Sequence, residues 1–224
     1  VGDNHIDLIV AGEYDKPEEV AEKLDLDLDK PLIVVLQHSE TTAPDDAFDQ
    51  MVETLAAVKE TGRHAVVVHP CSDQGYDGIV RAIEKLARPP QFKVKVNLDA
   101  PVFWGLMSIA SVFVGNSSAG LIETPSFRLP AINVGRRQTG RLHAQNVIHV
   151  PHDRKAIGAA LDRALNDVSF KEQVKRCGQP FGDGRAGELI VQHLKKIPLN
   201  KALLVKSMTY CDSSGEQKKN GKLP

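Results

Sequence analysis

VFVGNSSAGLIETP, residues 112–125, is the stretch on which the fold reading turns. Val112 to Val114 is a short β-branched and aromatic run that stops at Gly115-Asn116, and an apolar helical segment follows. Pro125 lacks the N–H that the preceding helical turn needs, so the helix is expected to kink or end there. A strand, a turn of small residues and a helix is the repeating unit of an α/β fold. Small residues let an anion approach the backbone, and free N–H groups at the start of a helix point at it. Ser117 and Ser118 add hydroxyl groups to such a cradle. Glu123, further along, would repel phosphate but accept hydrogen bonds from ribose hydroxyls. An ordinary tight turn with a serine cap uses the same residues, so the reading depends on their surroundings.

Working outward, the pattern repeats on both sides. Leu32–Leu36 (LIVVL), Ala65–Val68 (AVVV), Ala131–Val134 and Val147–Val150 are short apolar runs, each stopped by proline, glycine or polar residues. Runs apolar on both alternations suit strands buried on both faces of a parallel sheet. Lys93–Leu98 alternates and reads as a more exposed strand. Between these runs lie amphipathic helices at 45–61, 77–87, 101–110 and 153–166, with further helices at 17–24 and 185–196. The alternation predicts an α/β fold with a doubly wound, mostly parallel, Rossmann-like sheet. Residues 1–30 read as an acidic linker and first helix, and 31–196 as the Rossmann-like domain. Residues 197–224 read as a last helix, at 199–208, and a polar tail at 212–224 expected to be disordered.

In such a sheet, ligands bind beyond the carboxyl ends of the strands. Four polar segments should converge there: Gln37–Thr42, His69–Ser72, Gly115–Gly120 and Gly135–Gln138. From Gly115 to Val150, four arginines (Arg128, Arg136, Arg137 and Arg141) face one acid, Glu123, in a chain whose net charge is −1. Arg137 directly follows a strand, and its planar fork suits phosphate oxygens. Arg128 and Arg136 read singly as solvated. His38, after the first strong strand, is a candidate donor to a phosphate or a sugar hydroxyl, while His69-Pro70 reads as shaping its loop. His143, His149 and His152 lack the spacing of a metal cluster. The near-neutral charge argues against a nucleic-acid binder, and no apolar run reaches the roughly 20 residues of a membrane span. Cys71, Cys177 and Cys211 are too few and too scattered for a disulfide framework, so reduced thiols in the cytoplasm are expected. No signal peptide is read at the start, and opening at Val1 rather than Met suggests a piece of a longer protein.

Taken together, GNSSAGLIETPSFRLPAINVGRRQTGRLHAQNVIHV at 115–150 resembles the C-terminal half of the hydrolysing UDP-N-acetylglucosamine 2-epimerases, the sialic-acid-pathway branch especially. VVLQHSETT at 34–42 and PFGDGRAGELIVQHL at 180–194 are similar to other blocks of that family, in the same order. The opening VGDNHID is similar to the linker strand that enters the family's second domain. The resemblance implies the C-terminal domain of a GT-B architecture. It implies UDP contacts at Ser117, Ser118, Glu123 and Arg137, with the serines at phosphate and Glu123 at ribose, and a catalytic-cleft role for His38. The implied reaction converts UDP-N-acetylglucosamine and water to N-acetylmannosamine and UDP, by elimination and then hydration, with no metal or other cofactor. The implied partners are UDP or UDP-N-acetylglucosamine and an absent N-terminal domain, not nucleic acid or membrane. A homo-oligomer is compatible with the resemblance.

Two departures bear on affinity. Cys71 stands where the family commonly has asparagine, and Ala100 falls near where some members place an aromatic ring against uracil. The family's acid and base carboxylates belong to the first domain, and nothing in this chain replaces them, so the chain alone is expected to be inactive. The alternatives are the donor-binding domain of a GT-B UDP-sugar glycosyltransferase and a non-catalytic nucleotide-binding module.

Overall fold

The computed structural model describes residues 1–205, 209–211 and 217–219, apart from the side chains of residues 202, 209–211 and 217–219. They fall into two compact units, Val1–Ala186 and Gly187–Pro224. The first is built on six strands: β1 (Leu32–Leu36), β2 (His64–Val68), β3 (Phe92–Lys95), β4 (Val112–Gly115), β5 (Ala131–Val134) and β6 (Val147–Val150). Their order is β3-β2-β1-β4-β5-β6, and every neighbouring pair is parallel. This is the doubly wound Rossmann order, in which the winding reverses between β1 and β4.

The apolar runs form strands because both of their faces are covered. Ile33, Val35, Ala65, Val67, Val112, Val114, Ile132 and Val134 point to one side, where α3 (Ala47–Glu60), α4 (Tyr76–Leu86), α7 (Arg154–Asn166) and α8 (Val168–Arg176) cover them. Leu32, Val34, Leu36, Val66, Val68, Phe113 and Ala131 point to the other, under α2 (Pro17–Leu24) and α5 (Ala100–Ile109). Each fully buried aliphatic side chain contributes about 1.5–3 kcal/mol, so the central strands anchor whatever their ends carry. β3 and β6 close the sheet as edge strands. β3 is Phe92–Lys95, shorter than the expected 93–98, because its ladder ends with β2 at the Val68–Lys95 pair. β6 is only half-buried rather than covered on both faces, and His149 on it is exposed.

The opening is a helix, not the linker strand expected. α1 (Asn4–Val10) starts at Asp3, whose carboxylate accepts the His5 N–H at 2.9 Å. An aspartate cap followed by Ile6 and Ile9, one helical turn apart and both buried, is a helix signal. After α5, the chain passes through β4 into α6 (Ala119–Ile122), a single turn, and then a 3-10 turn at Thr124–Phe127. Pro125 ends the helix as expected.

The second unit carries all but the first residue of α9 (Ala186–Lys196), together with α10 (Lys201–Leu204) and an antiparallel pair, β7 (Thr209–Cys211) and β8 (Gln217–Lys219). The helix expected at 199–208 is thus the shorter α10, and Met208 lies outside the described residues. The tail expected to be disordered, 212–224, also lies outside them except for β8. No helix among the described residues is long and apolar enough to cross a membrane.

Candidate functional site

The carboxyl ends of β1 and β4 meet at the reversal point, and Asn116 joins them. Its side-chain oxygen accepts the His38 N–H at 2.7 Å, and its amide nitrogen donates to the His38 carbonyl at 2.9 Å. Its own carbonyl accepts from Gln138 at 2.7 Å and from Arg137 at 3.3 Å. Asn116 is fully buried and ties together the loops after β1, β4 and β5. Gly115 makes this junction by close approach: its φ is +141°, and a Cβ there would overlap the Leu36 carbonyl.

Beyond Asn116 lies the serine turn. The Ser117 and Ser118 carbonyls start the first turn of α6 by accepting from Gly120, Leu121 and Ile122. The Ser117 hydroxyl is a long 3.4 Å from the Ala119 N–H. Among the described residues, the N–H groups of Ser117 and Ser118 have no acceptor. Two adjacent unsatisfied N–H groups are the minimal anion cradle. The Arg137 guanidinium, half-buried, reaches over from the loop after β5 and also meets Asp73 at 3.4 Å.

His38 is 9% exposed. Its Nδ1 accepts the Cys71 N–H at 3.1 Å, and the Cys71 sulfur lies at the same distance. A backbone N–H only donates, so Nδ1 holds a lone pair and the ring proton sits on Nε2. Burial, and then the charge of Arg137, push the His38 pKa down to about 4, against the pull of Asp73. The ring is therefore a neutral donor at physiological pH. The Cys71 thiol is pushed up by burial and by Asp73, so it stays protonated.

Glu123 stands apart from these groups. It is 7% exposed, and its carboxylate accepts the Trp104 indole N–H at 3.1 Å and contacts His5 Nδ1 at 3.0 Å. Burial raises its pKa, and the charge and hydrogen bond of His5 and the hydrogen bond of Trp104 oppose the rise. The structure thus gathers His38, Ser117, Ser118 and Arg137 around Asn116, and gives Glu123 partners from α1 and α5 instead.

A second buried carboxylate was missed in the sequence. Glu40, 4% exposed, accepts the Arg136 N–H at 2.6 Å and contacts His152 Nε2 at 3.1 Å. Burial works to raise its pKa, but these contacts outweigh it and hold the carboxyl below its ordinary range. An internal anion thus takes the backbone N–H after β5, whereas those of Ser117 and Ser118 have no acceptor among the described residues. Gly135, with φ at +77°, is required here because a Cβ would overlap both Glu40 and His152.

Residues 1–195 match the model of a protein family described as UDP-N-acetylglucosamine 2-epimerase. The chain belongs to that family. Among curated relatives, it is 33% identical over 184 residues to a Legionella pneumophila protein named UDP-N,N'-diacetylbacillosamine 2-epimerase (hydrolyzing), covering 82% of this chain and 48% of that one. It is 27% identical over 171 residues to the UDP-N-acetylglucosamine 2-epimerase of Neisseria meningitidis, covering 76% and 45%. The chain therefore spans about half the length of the curated relatives it matches. Among solved structures, a Neisseria meningitidis UDP-GlcNAc 2-epimerase bound to UDP-GlcNAc superposes with a TM-score of 0.71 at 14% identity, over 88% of this chain and 54% of that one. An S. aureus MnaA–UDP co-structure superposes with a TM-score of 0.68 at 19% identity, over 87% and 53%. The fold is thus that of the second Rossmann-like half of a GT-B 2-epimerase.

In this 2-epimerase family member, Asn116, Asp73 and Glu40 are the functional candidates that sequence reading passed over. Asn116 carried one signal, a polar residue between a buried strand and the serine pair. Glu40 lay in a segment expected at the same edge, but its partner is 96 residues away, and Asp73 carried no signal, its partner being 64 residues away.

Proposed function

We propose that this chain is the UDP-binding half of a hydrolysing UDP-N-acetylglucosamine 2-epimerase. The observation that carries the reading is the Asn116 junction, which sets two unsatisfied backbone N–H groups, the Arg137 guanidinium and the neutral His38 around one strand-end crevice. The serine N–H groups and hydroxyls take the diphosphate, and Arg137 leaves Asp73 to hold its oxygens. His38 donates its Nε2 proton to the diphosphate where it meets the sugar. Glu123 takes the ribose hydroxyls, exchanging its His5 contact for them.

In the reaction proposed, a base removes the proton on C2 and the C1–O bond to UDP breaks, leaving a 2-acetamidoglucal. Water then adds across the double bond, giving N-acetylmannosamine. This half stabilises the departing UDP, while acid–base work at C2 belongs to carboxylates of a first domain outside this chain. The reading makes the 224-residue chain a UDP binder without turnover, working in the cytoplasm. A diacetylbacillosamine-type donor is the second sugar to test, because the Legionella relative is named for it.

Calorimetry with UDP tests the reading directly. Saturable binding is expected, and Arg137→Ala should weaken it by about 1.5–3 kcal/mol through lost charge-assisted hydrogen bonds. Glu123→Ala should weaken it too. No heat at millimolar UDP would favour a non-catalytic module instead. With the full-length protein and UDP-N-acetylglucosamine, free N-acetylmannosamine supports the epimerase, and transfer to an acceptor supports the glycosyltransferase alternative.

A further inference from the structure

From Thr124 to His152 the chain carries no Asp or Glu, but four arginines and three histidines. The fold sends the arginines in different directions. Arg128 donates to the Cys177 carbonyl, and Arg137 turns to Asn116 and Asp73. Arg136 instead lines a recess of about 580 Å³ with Thr139, Arg141, His143 and His149, on the far side of the same loop. No carboxylate lines this recess. Among the described residues, neither Arg136 nor Arg141 has an ion-pair partner. Arg141 donates to the Gln138 side chain at 2.8 Å, and Glu40 bonds the Arg136 backbone rather than its guanidinium.

The two imidazoles lie edge-on with centroids 4.7 Å apart. His143 Nδ1 donates to the Ala144 carbonyl at 3.0 Å, and His149 Nδ1 meets the Asn133 amide at 3.1 Å. Both Nε2 atoms are thereby left for another partner. Burial, and then the neighbouring His143, lower the pKa of His149. Two guanidiniums that lack an ion-pair partner among the described residues thus line one recess with two imidazoles, and an anion bound there would supply the counter-charge.

We propose that this recess is a second anion site, separate from the diphosphate cradle, which takes the phosphate group of a small phosphorylated metabolite. Guanidinium forks match phosphate oxygens. The volume exceeds what a bare phosphate fills and falls within the roughly 300–1,000 Å³ of small-molecule pockets. Thr139 and the imidazole Nε2 atoms supply hydrogen bonds for hydroxyl groups beside the phosphate. The site stands on its own side chains and does not depend on UDP binding to the cradle.

The test is an NMR titration of the whole chain, kept at saturating UDP, with inorganic phosphate and with glucose 6-phosphate. Saturable shifts are expected at His143, His149 and Arg136, with Ser117 and Ser118 unmoved. Tighter binding of the ester would identify a phosphate monoester as the ligand, and equal binding would identify free phosphate. The exposed double variant Arg136→Gln/Arg141→Gln should lose at least tenfold in phosphate affinity and keep its UDP affinity, and His143→Ala should lose less. No shift at these residues, shifts that never saturate, or shifts that sodium chloride reproduces at equal ionic strength would overturn the proposal. Should the chain fail to bind UDP but still saturate with phosphate, the epimerase reading falls and this site remains.

Discussion

His38 and Asp73 carry the sharpest consequences at the residue scale. The Cys71 N–H fixes the His38 tautomer, so nitrogen shifts of that ring should report an Nε2 proton through neutral pH and a titration midpoint near 4. A ring that titrates near 6.5, or whose proton sits on Nδ1, would remove the neutral-donor role. The same shift sets a pH dependence of stability. Between about pH 6.5 and 4, the unfolded chain binds a proton at His38 that the native chain does not. Stability from this group is therefore complete above pH 6.5 and falls as pH drops through that window, by roughly 3 kcal/mol in total. Urea unfolding at a series of pH values should show the decline, and His38→Asn should flatten it. Asp73 meets Arg137 at 3.4 Å, so if Arg137 holds UDP as proposed, the two compete for it. The pair is partly exposed and is worth at most about 1 kcal/mol. Asp73→Asn should therefore tighten UDP binding by up to about fivefold; weaker binding by calorimetry would mean that Asp73 itself contacts the ligand.

Whole elements show where pattern and structure agreed and where they parted. The apolar runs of β1, β2, β4 and β5 are strands because both sheet faces are covered, and that cover is what makes such runs continuous rather than alternating. α8 went unread for a local reason. Asp167 ends α7 and also caps α8, its carboxylate accepting the Phe170 N–H at 3.1 Å, so no glycine or proline marks the joint. α1 was misread as a strand because a likeness to a linker outweighed an aspartate cap and a helical spacing of Ile6 and Ile9. Close helix packing gives a prediction at this level. At Gly105 in α5, a Cβ would fall 2.5 Å from the Asp15 carbonyl oxygen and 2.6 Å from a Val20 methyl on α2. Gly105→Ala should destabilise the chain by about 1–3 kcal/mol through overpacking, a loss of several degrees in thermal unfolding. An unchanged melting temperature would mean that α2 and α5 separate easily.

On the scale of the whole molecule, the reversal of winding between β1 and β4 matters most. It opens one crevice and places His38, Ser117, Ser118 and Arg137 around it, although they span a hundred residues of sequence. If that crevice takes UDP, binding must stabilise the native state. At a hundred times the dissociation constant, the gain is about 2.7 kcal/mol, roughly 5–10 °C for a chain of this size. A thermal scan with and without UDP measures it, and Arg137→Ala should shrink the increment at equal ligand concentration.

The sequence by itself determined the six strands of the main sheet, their parallel winding, the turn after β4 and the concentration of arginines near it. Each of these follows from local patterning: apolar runs, small residues at a strand end, and charge counted along the chain. Only the tertiary structure decided which charges face which. It tied His38 to Cys71 and Asn116, parted Arg136 from Arg137, and buried Glu40 and Glu123 against residues 112 and 118 positions away in sequence. Hydrogen bonds and ion pairs act over a few ångströms of space, so no pattern read along the chain contains them until the sheet has brought its ends together.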